Sequence, residues 1–221
     1  MINGVSDARK DAADIGRRAE YAQATRRAIL DAARELFVQK GYFGTKVEEI
    51  ARAARVAPAT VYAVGGGKNG LLRTLVESGT TADDIPEILA RIESFTEPRE
   101  LIHFIVQASR GKFEEWSGLM RQVAAAAPQE PRVREIQLIA HQGLRGGLAL
   151  TAGRLAAMGA LRADIDASRA TDVLWIHLCN AAYFIRTDDL GWTLDESEAW
   201  LNETLPAVLL ARGDTPGETG Q

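Results

Sequence analysis

Cysteine is almost absent from this chain of 221 residues, and the one that occurs is Cys179. A single thiol excludes an intramolecular disulfide framework and a zinc site built from several cysteines. No apolar run approaches the roughly 20 residues that a membrane-spanning helix needs, and charges occupy residues 1–18, where a signal peptide has its apolar stretch. We therefore expect a protein of the reducing cytoplasm that has no contact with a membrane.

Histidine is also scarce, and the three that occur, His103, His141 and His177, are too far apart to share a helix face. His177 and Cys179 are two positions apart, which directs them to nearly opposite sides of a helix. No acid, base and nucleophile occur together at usable spacing. We predict no metal, no cofactor and no enzymatic activity, and we expect the histidines to be structural or to line a pocket.

The 30 acidic residues outnumber the 26 basic ones, but the two signs are unevenly distributed. Residues 1–78 carry a net charge of +4, whereas residues 79–221 carry a net charge of −8. A basic segment joined to an acidic body is expected when only the first part binds a phosphate backbone. Chance is the alternative explanation.

Apolar residues recur at helical spacing along the whole chain, which predicts an all-α fold. An apolar stripe predicts a first helix over 22–39, which Gly41 is expected to close in the left-handed conformation. The segment that starts at Thr45 has the form of a capping box, so a second helix is expected to follow it. Pro58 suits the first turn of a short third helix, which a run of three glycines ends.

Longer amphipathic stretches follow beyond Ser78, separated by prolines and glycines. They predict helices over 82–94, 98–113, 114–126, 132–158, 168–188 and 194–211. The last has a capping box at Thr193 to Glu196, and Pro206 inside it should kink it or end it early. We expect a mobile arm, a short-helix domain, a larger helical domain and a disordered tail, at 1–17, 18–78, 79–211 and 212–221.

Short helices whose second and third members meet at a tight turn are typical of the helix-turn-helix, whose second member enters the major groove of DNA. The residues themselves are more specific than this geometry. The stretches 28–37, 40–42, 49–51 and 60–62, with Thr45, Ala54, Val56 and 68–72, resemble the TetR/AcrR family of repressors over residues 25–76. The resemblance implies an N-terminal helix-turn-helix DNA-binding domain and a larger helical domain for effector binding and dimerisation.

The resemblance also implies DNA contacts, at Thr45, Lys46, Arg55, Pro58, Ala59, Thr60, Tyr62 and Lys68. Pro58 to Thr60 match the start of the recognition helix, where short side chains approach base edges. Tyr62 and Lys68 match a tyrosine and a lysine that bind phosphates and so position the protein without specifying bases. A half-buried core role is the alternative for Tyr62. Arg26 and Arg27 are further backbone candidates, and Arg17 and Arg18 could form an arm that reaches the minor groove.

Three positions depart from the family pattern. Arg55 stands where the family usually has glycine, Gly65 where it has an aromatic residue, and Ala57 where it has a serine cap. Losing the cap costs roughly 1 kcal/mol. We therefore expect the recognition helix to be held more loosely than in the family.

Aromatic, sulfur-containing and polar side chains of the larger part could line a cavity for a small apolar or aromatic effector. The candidates are His103, Phe104, Trp116, Met120, His141, Arg145 and Trp175, and a packed core is the alternative for the aromatic ones. Glycine is unfavourable within a helix, and the helix expected over 132–158 contains it at positions 143, 146, 147 and 153. A close helix crossing or room for a ligand should offset this cost.

The last two long helices resemble the pair that forms the dimer bundle of the family. The interface candidates are Leu174, Leu178, Ala181, Ile185, Trp200, Leu201, Leu205 and Val208, and intrachain core is their alternative. The function implied is a repressor that binds a palindromic operator as a homodimer and is released by its effector. The alternative is an all-helical ligand-binding module or enzyme without sequence-specific DNA binding, for which Arg55 and Gly65 are the motive.

Overall fold

The computed structural model describes residues 4–80 and 85–211, which form helices joined by short loops. The helices are α1 Gly4–Gly44, α2 Val47–Ala53, α3 Pro58–Gly65, α4 Lys68–Thr80, α5 Ile85–Ser94, α6 Pro98–Ala126, α7 Pro131–Ala157, α8 Ala167–Leu178, α9 Asn180–Phe184 and α10 Leu194–Leu209. Over these ranges β structure is limited to one isolated antiparallel bridge, between Leu161 and Leu210. The predicted all-α fold is confirmed.

Helix α1 is longer than the apolar pattern predicts, because it begins at Gly4 rather than at 22. The extra turns carry no apolar stripe, but alanine, arginine and glutamate favour a helix without one. From Gly4 onward the expected mobile arm is therefore helical, whereas residues 1–3 and the expected tail, 212–221, lie outside the described residues. Gly41 has the positive φ expected of it, 75°, but its ψ of 168° is extended rather than left-handed helical.

Two predicted boundaries in the second half of the chain are wrong. The helices expected over 98–113 and 114–126 are one helix, α6, because no proline interrupts it and Gly111 is tolerated within it. The helix expected over 168–188 breaks at Cys179, whose ψ of 157° is extended, and it continues as α9 and a π-helical turn, Ile185–Asp189. No glycine or proline marks this break.

The predicted capping box of α10 is confirmed. The amide of Glu196 donates to the Thr193 hydroxyl at 3.1 Å, and the amide of Thr193 donates to the Glu196 carboxylate at 2.7 Å. These hydrogen bonds hold the pKa of Glu196 below its usual value. Pro206 is buried within the helix, which ends at Leu209, two residues before its predicted end.

The described residues form two compact units. The first unit comprises the chain up to Glu77 together with Arg121–Gln137, and the second comprises Ser78–Met120 and the chain from Leu138 onward. The inclusion of Arg121–Gln137 in the first unit has no counterpart in the sequence pattern. Fully buried side chains in the first unit include Ile29, Phe37, Ile50, Val61, Leu71 and Leu72, and one apolar cluster fills the second unit.

Within the second unit, Arg110 ties α6 to α10. Its guanidinium lies 2.5 Å from the Glu198 carboxylate, 2.6 Å from that of Asp195 and 3.1 Å from that of Glu114. These carboxylates raise the pKa of Arg110 above its ordinary value. The cluster is an ion-pair network rather than an isolated surface pair, which makes its contribution to stability more dependable.

A second arginine, Arg186 in the π-helical turn, is only 5% exposed, yet the groups that hold it are neutral. Its Nε donates to the Ser197 hydroxyl at 2.7 Å, and Nη2 donates to the His177 carbonyl at 3.0 Å. The guanidinium also lies 4.5 Å from the centroid of the Tyr183 ring. Burial lowers the pKa of Arg186, but a guanidinium keeps its charge in a protein.

Candidate nucleic-acid interface

The turn between α2 and α3 depends on the backbone conformation of Arg55. Its φ is 56°, and within the described ranges it is the one non-glycine residue with a positive φ. A residue with a Cβ pays roughly 1–2 kcal/mol in this left-handed region, and glycine does not. The geometry thus explains why glycine suits this position, and it shows that the arginine is tolerated with local strain.

The predicted capping box at Thr45 is wrong. Lys46 precedes the first residue of α2, and its amide donates to the Glu49 carboxylate at 3.1 Å. Thr45 is only 2% exposed, and its hydroxyl donates to the Gly41 carbonyl at 2.8 Å. Thr45 therefore fastens the end of α1, and its hydroxyl faces the protein rather than solvent.

The start of the recognition helix agrees with the sequence. Pro58 is the first residue of α3, and Ala57 before it makes no side-chain cap. Pro58 and Ala59 are exposed, whereas Thr60 is half-buried. The first turn of α3 thus presents two short side chains to solvent, with its cap position unfilled.

We expect Ala57→Ser to raise the free energy of unfolding by about 1 kcal/mol, because a serine hydroxyl would accept from a free amide of α3. Ala57 is exposed and has φ −72° and ψ 147°, the extended conformation of a cap residue. Urea unfolding followed by circular dichroism measures the change. Ala63→Ser, at an exposed position inside the same helix, is the control and should give no gain. Equal stability of the Ala57 variant and the parent would contradict the expectation.

Glycines let α3 and α4 approach closely. Gly66 ends α3 in the left-handed conformation, with φ 63° and ψ 25°. A Cβ added at Gly65 would lie 2.3 Å from Cδ2 of Leu71, and one added at Gly70 would lie 1.8 Å from the carbonyl oxygen of Gly65. Leu71 thus occupies the room beside Gly65, so the missing aromatic leaves no gap there. Of the two grounds for a loosely held recognition helix, the gap at Gly65 is absent, whereas the unfilled cap at Ala57 is present.

Tyr62 is 55% exposed, which excludes the alternative of a core tyrosine. Its ring lies against the backbone of Gly67, where an added Cβ would come within 3.1 Å of it. A glycine at 67 therefore gives the ring a flat support at the end of α3. The phenol is held at the surface of the first unit rather than within its core.

Lys68 is anchored more firmly than a surface lysine. Its Nζ donates to the Tyr42 carbonyl at 2.8 Å and lies 4.2 Å from the centroid of the Tyr42 ring. Burial lowers the pKa of Lys68, and the negative charge of Glu130 partly opposes this shift. The ammonium has three N–H donors, so the bond to Tyr42 leaves others for a phosphate.

The basic side chains around the turn remain at the surface. Lys46 and Arg55 are exposed, as is Arg52 in the last turn of α2, which sequence reasoning missed. Arg52 follows the buried pair Ile50 and Ala51, so its outward position could have been read from the apolar pattern. Arg26 has another role, because its Nη1 donates to the Val64 carbonyl at 3.2 Å and so ties α1 to α3.

Residues 29–75, which include the turn and both of its helices, match the family model described as bacterial regulatory proteins of the tetR family. The match confirms the predicted resemblance to the TetR/AcrR family over these residues. Among the curated relatives, the HTH-type transcriptional regulator UidR of Escherichia coli K12 is 34% identical over 84 residues. That match covers 38% of this chain and 39% of UidR, so the chain spans about two fifths of the length of the curated relatives it matches.

Solved structures of other proteins share the fold. NalD, the secondary repressor of the MexAB-OprM multidrug efflux pump in Pseudomonas aeruginosa, has a TM-score of 0.66 at 24% identity, over 86% of this chain and 98% of NalD. The SmeT–triclosan complex has a TM-score of 0.66 at 20% identity, over 90% of this chain and 98% of SmeT. The predicted architecture, a helix-turn-helix domain with a larger helical domain, is confirmed. By name, UidR is a transcriptional regulator and NalD is a repressor.

The predicted pocket residues do not form one site. His103 and Phe104 line a cleft of about 420 Å³ between α5 and α6, which is called the α5–α6 cleft below. Arg145 lines a different cleft, of about 480 Å³, beside Gly146 of α7 and the start of α8. His141 contacts Trp175 edge to face, with ring centroids 5.2 Å apart.

The remaining two pocket candidates lie further along α6, and neither lines these clefts. Trp116 packs on Gly79, where an added Cβ would come within 2.9 Å of the ring. Met120 is half-buried. In the described part of the chain no three His, Cys, Asp or Glu side chains gather as metal ligands, and no helix there is long and apolar enough to cross a membrane.

Three of the α7 glycines lack the close helix crossing that the sequence suggested. A Cβ added at Gly146, Gly147 or Gly153 would meet nothing within 4 Å. Of the two suggested explanations, a crossing is therefore wrong for these positions. Room for a ligand remains for Gly146, which lines the cleft beside Arg145.

The dimer candidates separate into buried and exposed residues. Four leucines, at positions 174, 178, 201 and 205, are at most 2% exposed and belong to the apolar core of the second unit. For these four the alternative of intrachain core is correct. Ala181, Ile185 and Trp200 are exposed, and Val208 is half-buried. Ile176 and Leu190, 64% and 57% exposed, are further apolar surface residues that sequence reasoning missed.

Proposed function

We propose that the protein is a ligand-responsive transcriptional repressor that binds a near-palindromic operator as a homodimer. The observation that carries this proposal is the exposed set around the α2–α3 turn, within the segment that matches the family model. Tyr62, Arg55 and Lys46 offer a hydroxyl and two cations to phosphates. Pro58 and Ala59 allow the recognition helix to approach base edges and thymine methyls.

The other proposed DNA contacts have supporting roles. Thr60 is half-buried at the first turn of α3, and Lys68 would hold a phosphate with the N–H donors that Tyr42 leaves free. Thr45 supports the interface indirectly, because its buried hydroxyl donates to the Gly41 carbonyl and so holds the end of α1. The UidR and NalD names support the assignment, since they denote a transcriptional regulator and a repressor.

Dimerisation is proposed through apolar side chains that the single chain leaves exposed. Ile176, Ile185, Leu190 and Trp200 are between 37% and 64% exposed. Two copies that bury these side chains would present two recognition helices to successive major grooves, about 34 Å apart. An effector that binds better to a conformer with the two heads wrongly spaced would release the operator.

The alternative function is a helical ligand-binding module or enzyme that has lost sequence-specific DNA binding. The departures at Arg55 and Gly65 were the arguments for this alternative. Leu71 fills the space beside Gly65, which removes one of these arguments. Arg55 adopts the conformation that the turn needs, so the turn is present despite the substitution.

Arg55→Gly separates DNA binding from stability. We expect the substitution to raise the free energy of unfolding by about 0.5–1 kcal/mol, because glycine removes the left-handed strain but adds backbone entropy to the unfolded chain. Losing one phosphate contact should weaken operator binding and reduce the slope of log affinity against log salt by about 1. A weaker but more stable protein cannot owe its lost binding to unfolding.

Fluorescence anisotropy with DNA from beside the protein's own gene, across a salt series and with unrelated duplex as competitor, measures these changes. Arg134→Gln removes an exposed cation from α7 of the same unit and is the matched control, while Tyr62→Phe tests the phenol. Equal affinity for every duplex, or no binding, would contradict the proposed function. A monomer in sedimentation measurements would contradict the dimer.

A further inference from the structure

We propose that the α5–α6 cleft binds an effector that carries a carboxylate on an apolar body. Its lining residues are Arg91, Phe95, Arg99, Glu100, His103, Phe104 and Gln107. A role for this ligand as an effector rests on the proposed function. The binding itself does not require DNA and is tested without it.

Charge is the first argument for an anionic ligand. Arg91 and Arg99 reach the cleft from two different helices, and one carboxylate, that of Glu100, lines it with them. No ion pair in the described ranges engages either arginine, whereas Arg110, Arg145 and Arg162 of the same unit all pair with carboxylates. This part of the chain is acidic overall, with a net charge of −8 over residues 79–221. A local excess of positive charge in such a body favours a bound anion.

The floor of the cleft is aromatic. The ring centroids of Phe95 and Phe104 lie 5.3 Å apart, and the guanidinium of Arg91 lies 4.7 Å from the centroid of Phe104. Arg154 of α7 donates to the Phe95 carbonyl at 2.7 Å and so ties the residue that follows α5 to α7. The rings of Phe95 and Phe104 thus offer an apolar surface to the body of a ligand. The guanidinium of Arg91 lies next to them and offers a cation to its carboxylate.

Polar side chains on α6 complete the cleft. Arg99, His103 and Gln107 follow at four-residue spacing and therefore share one face of the helix. The amide nitrogen of Gln107 lies 3.2 Å from Nε2 of His103, so the amide donates and the ring accepts. This contact orients the imidazole before a ligand arrives.

The combination selects a class of compound. Guanidinium groups bind carboxylates through two parallel N–H donors, which a neutral hydroxyl cannot engage in the same way. The volume of about 420 Å³ suits a small molecule. The geometry thus points to an aliphatic or aromatic monocarboxylic acid rather than to a neutral apolar compound.

Isothermal titration calorimetry of the full chain tests the proposal with decanoate and 2-naphthoate, each compared with its neutral counterpart, decanol or 2-naphthol. At least one acid should bind about tenfold more tightly than its counterpart. Arg91→Gln and Arg99→Gln should each remove most of that preference, whereas Arg169→Gln, an exposed arginine of α8, should leave it intact. Both cleft arginines are exposed, so their variants should unfold at the parental temperature.

Three results would overturn the proposal: no heat from either acid at millimolar concentration, equal affinity for acids and alcohols, or acid binding that survives both cleft substitutions. Operator binding is measured separately, on protein without any acid. A protein that binds its operator but neither acid refutes this inference alone. A protein that binds an acid through Arg91 and Arg99 but no operator refutes the proposed function alone.

Discussion

Gly70→Ala is expected to lower the free energy of unfolding by about 2–3 kcal/mol, the usual cost of overpacking a tight contact. The new Cβ would lie 1.8 Å from the carbonyl oxygen of Gly65, and a backbone atom at the end of α3 cannot rotate out of the way. The recognition helix must therefore shift. Operator affinity should fall together with stability.

Gly153→Ala is the control for this substitution. It also changes a helical glycine to alanine, but its Cβ would meet nothing within 4 Å. There we expect a gain of up to roughly 1 kcal/mol, because alanine favours the helix over glycine. Urea unfolding of both variants gives the comparison. A Gly70 variant as stable as the parent would mean that α3 and α4 do not approach as closely as the structure shows.

Gly65→Phe and Leu71→Ala should each destabilise the protein strongly and partly rescue one another. Leu71→Ala removes a side chain that is 1% exposed, which costs about 2–5 kcal/mol. Gly65→Phe places a ring where Leu71 already lies, at a cost of about 1–3 kcal/mol. In the double variant the ring can occupy the space that the leucine leaves. The double variant should therefore lose less free energy of unfolding than the two single variants lose together, by about 1–2 kcal/mol.

Leu72 supplies the control for this cycle. It is as buried as Leu71, at 1% exposure, but it is not among the atoms nearest to a Cβ at Gly65. Gly65→Phe combined with Leu72→Ala should be additive in urea unfolding. Additivity in the Leu71 pair as well would refute the idea that Leu71 takes the place of the family's aromatic residue.

The helix-turn-helix could be read from the sequence because its signals are local. Pro58 fixes a helix start through its own backbone, and the glycines after Val64 end the same helix. The cap of α2 was misplaced by one residue for an equally local reason. Glu48 and Glu49 are adjacent, and either could reach back to a cap, so the buried position of Thr45 decides the register.

The second unit was less predictable, because its key signals depend on tertiary packing. α8 carries Leu174 and Leu178 on its buried side and Ile176 on its exposed side, so apolar character alone cannot tell core from surface. The break at Cys179 has no glycine or proline to announce it. The arginines of the α5–α6 cleft were missed because they line it from separate helices.

Within the second unit, the groups that accept hydrogen bonds from Arg186 are neutral and do not titrate in acid. Protonating carboxylates at low pH removes the negative charges of the Arg110 network, since each of its partners is an Asp or a Glu. The Ser197 hydroxyl and the His177 carbonyl accept from Arg186 at any pH at which the chain is folded. Acid should therefore loosen the first turns of α10 from α6, while Ser197 still holds the same turns against the π-helical turn.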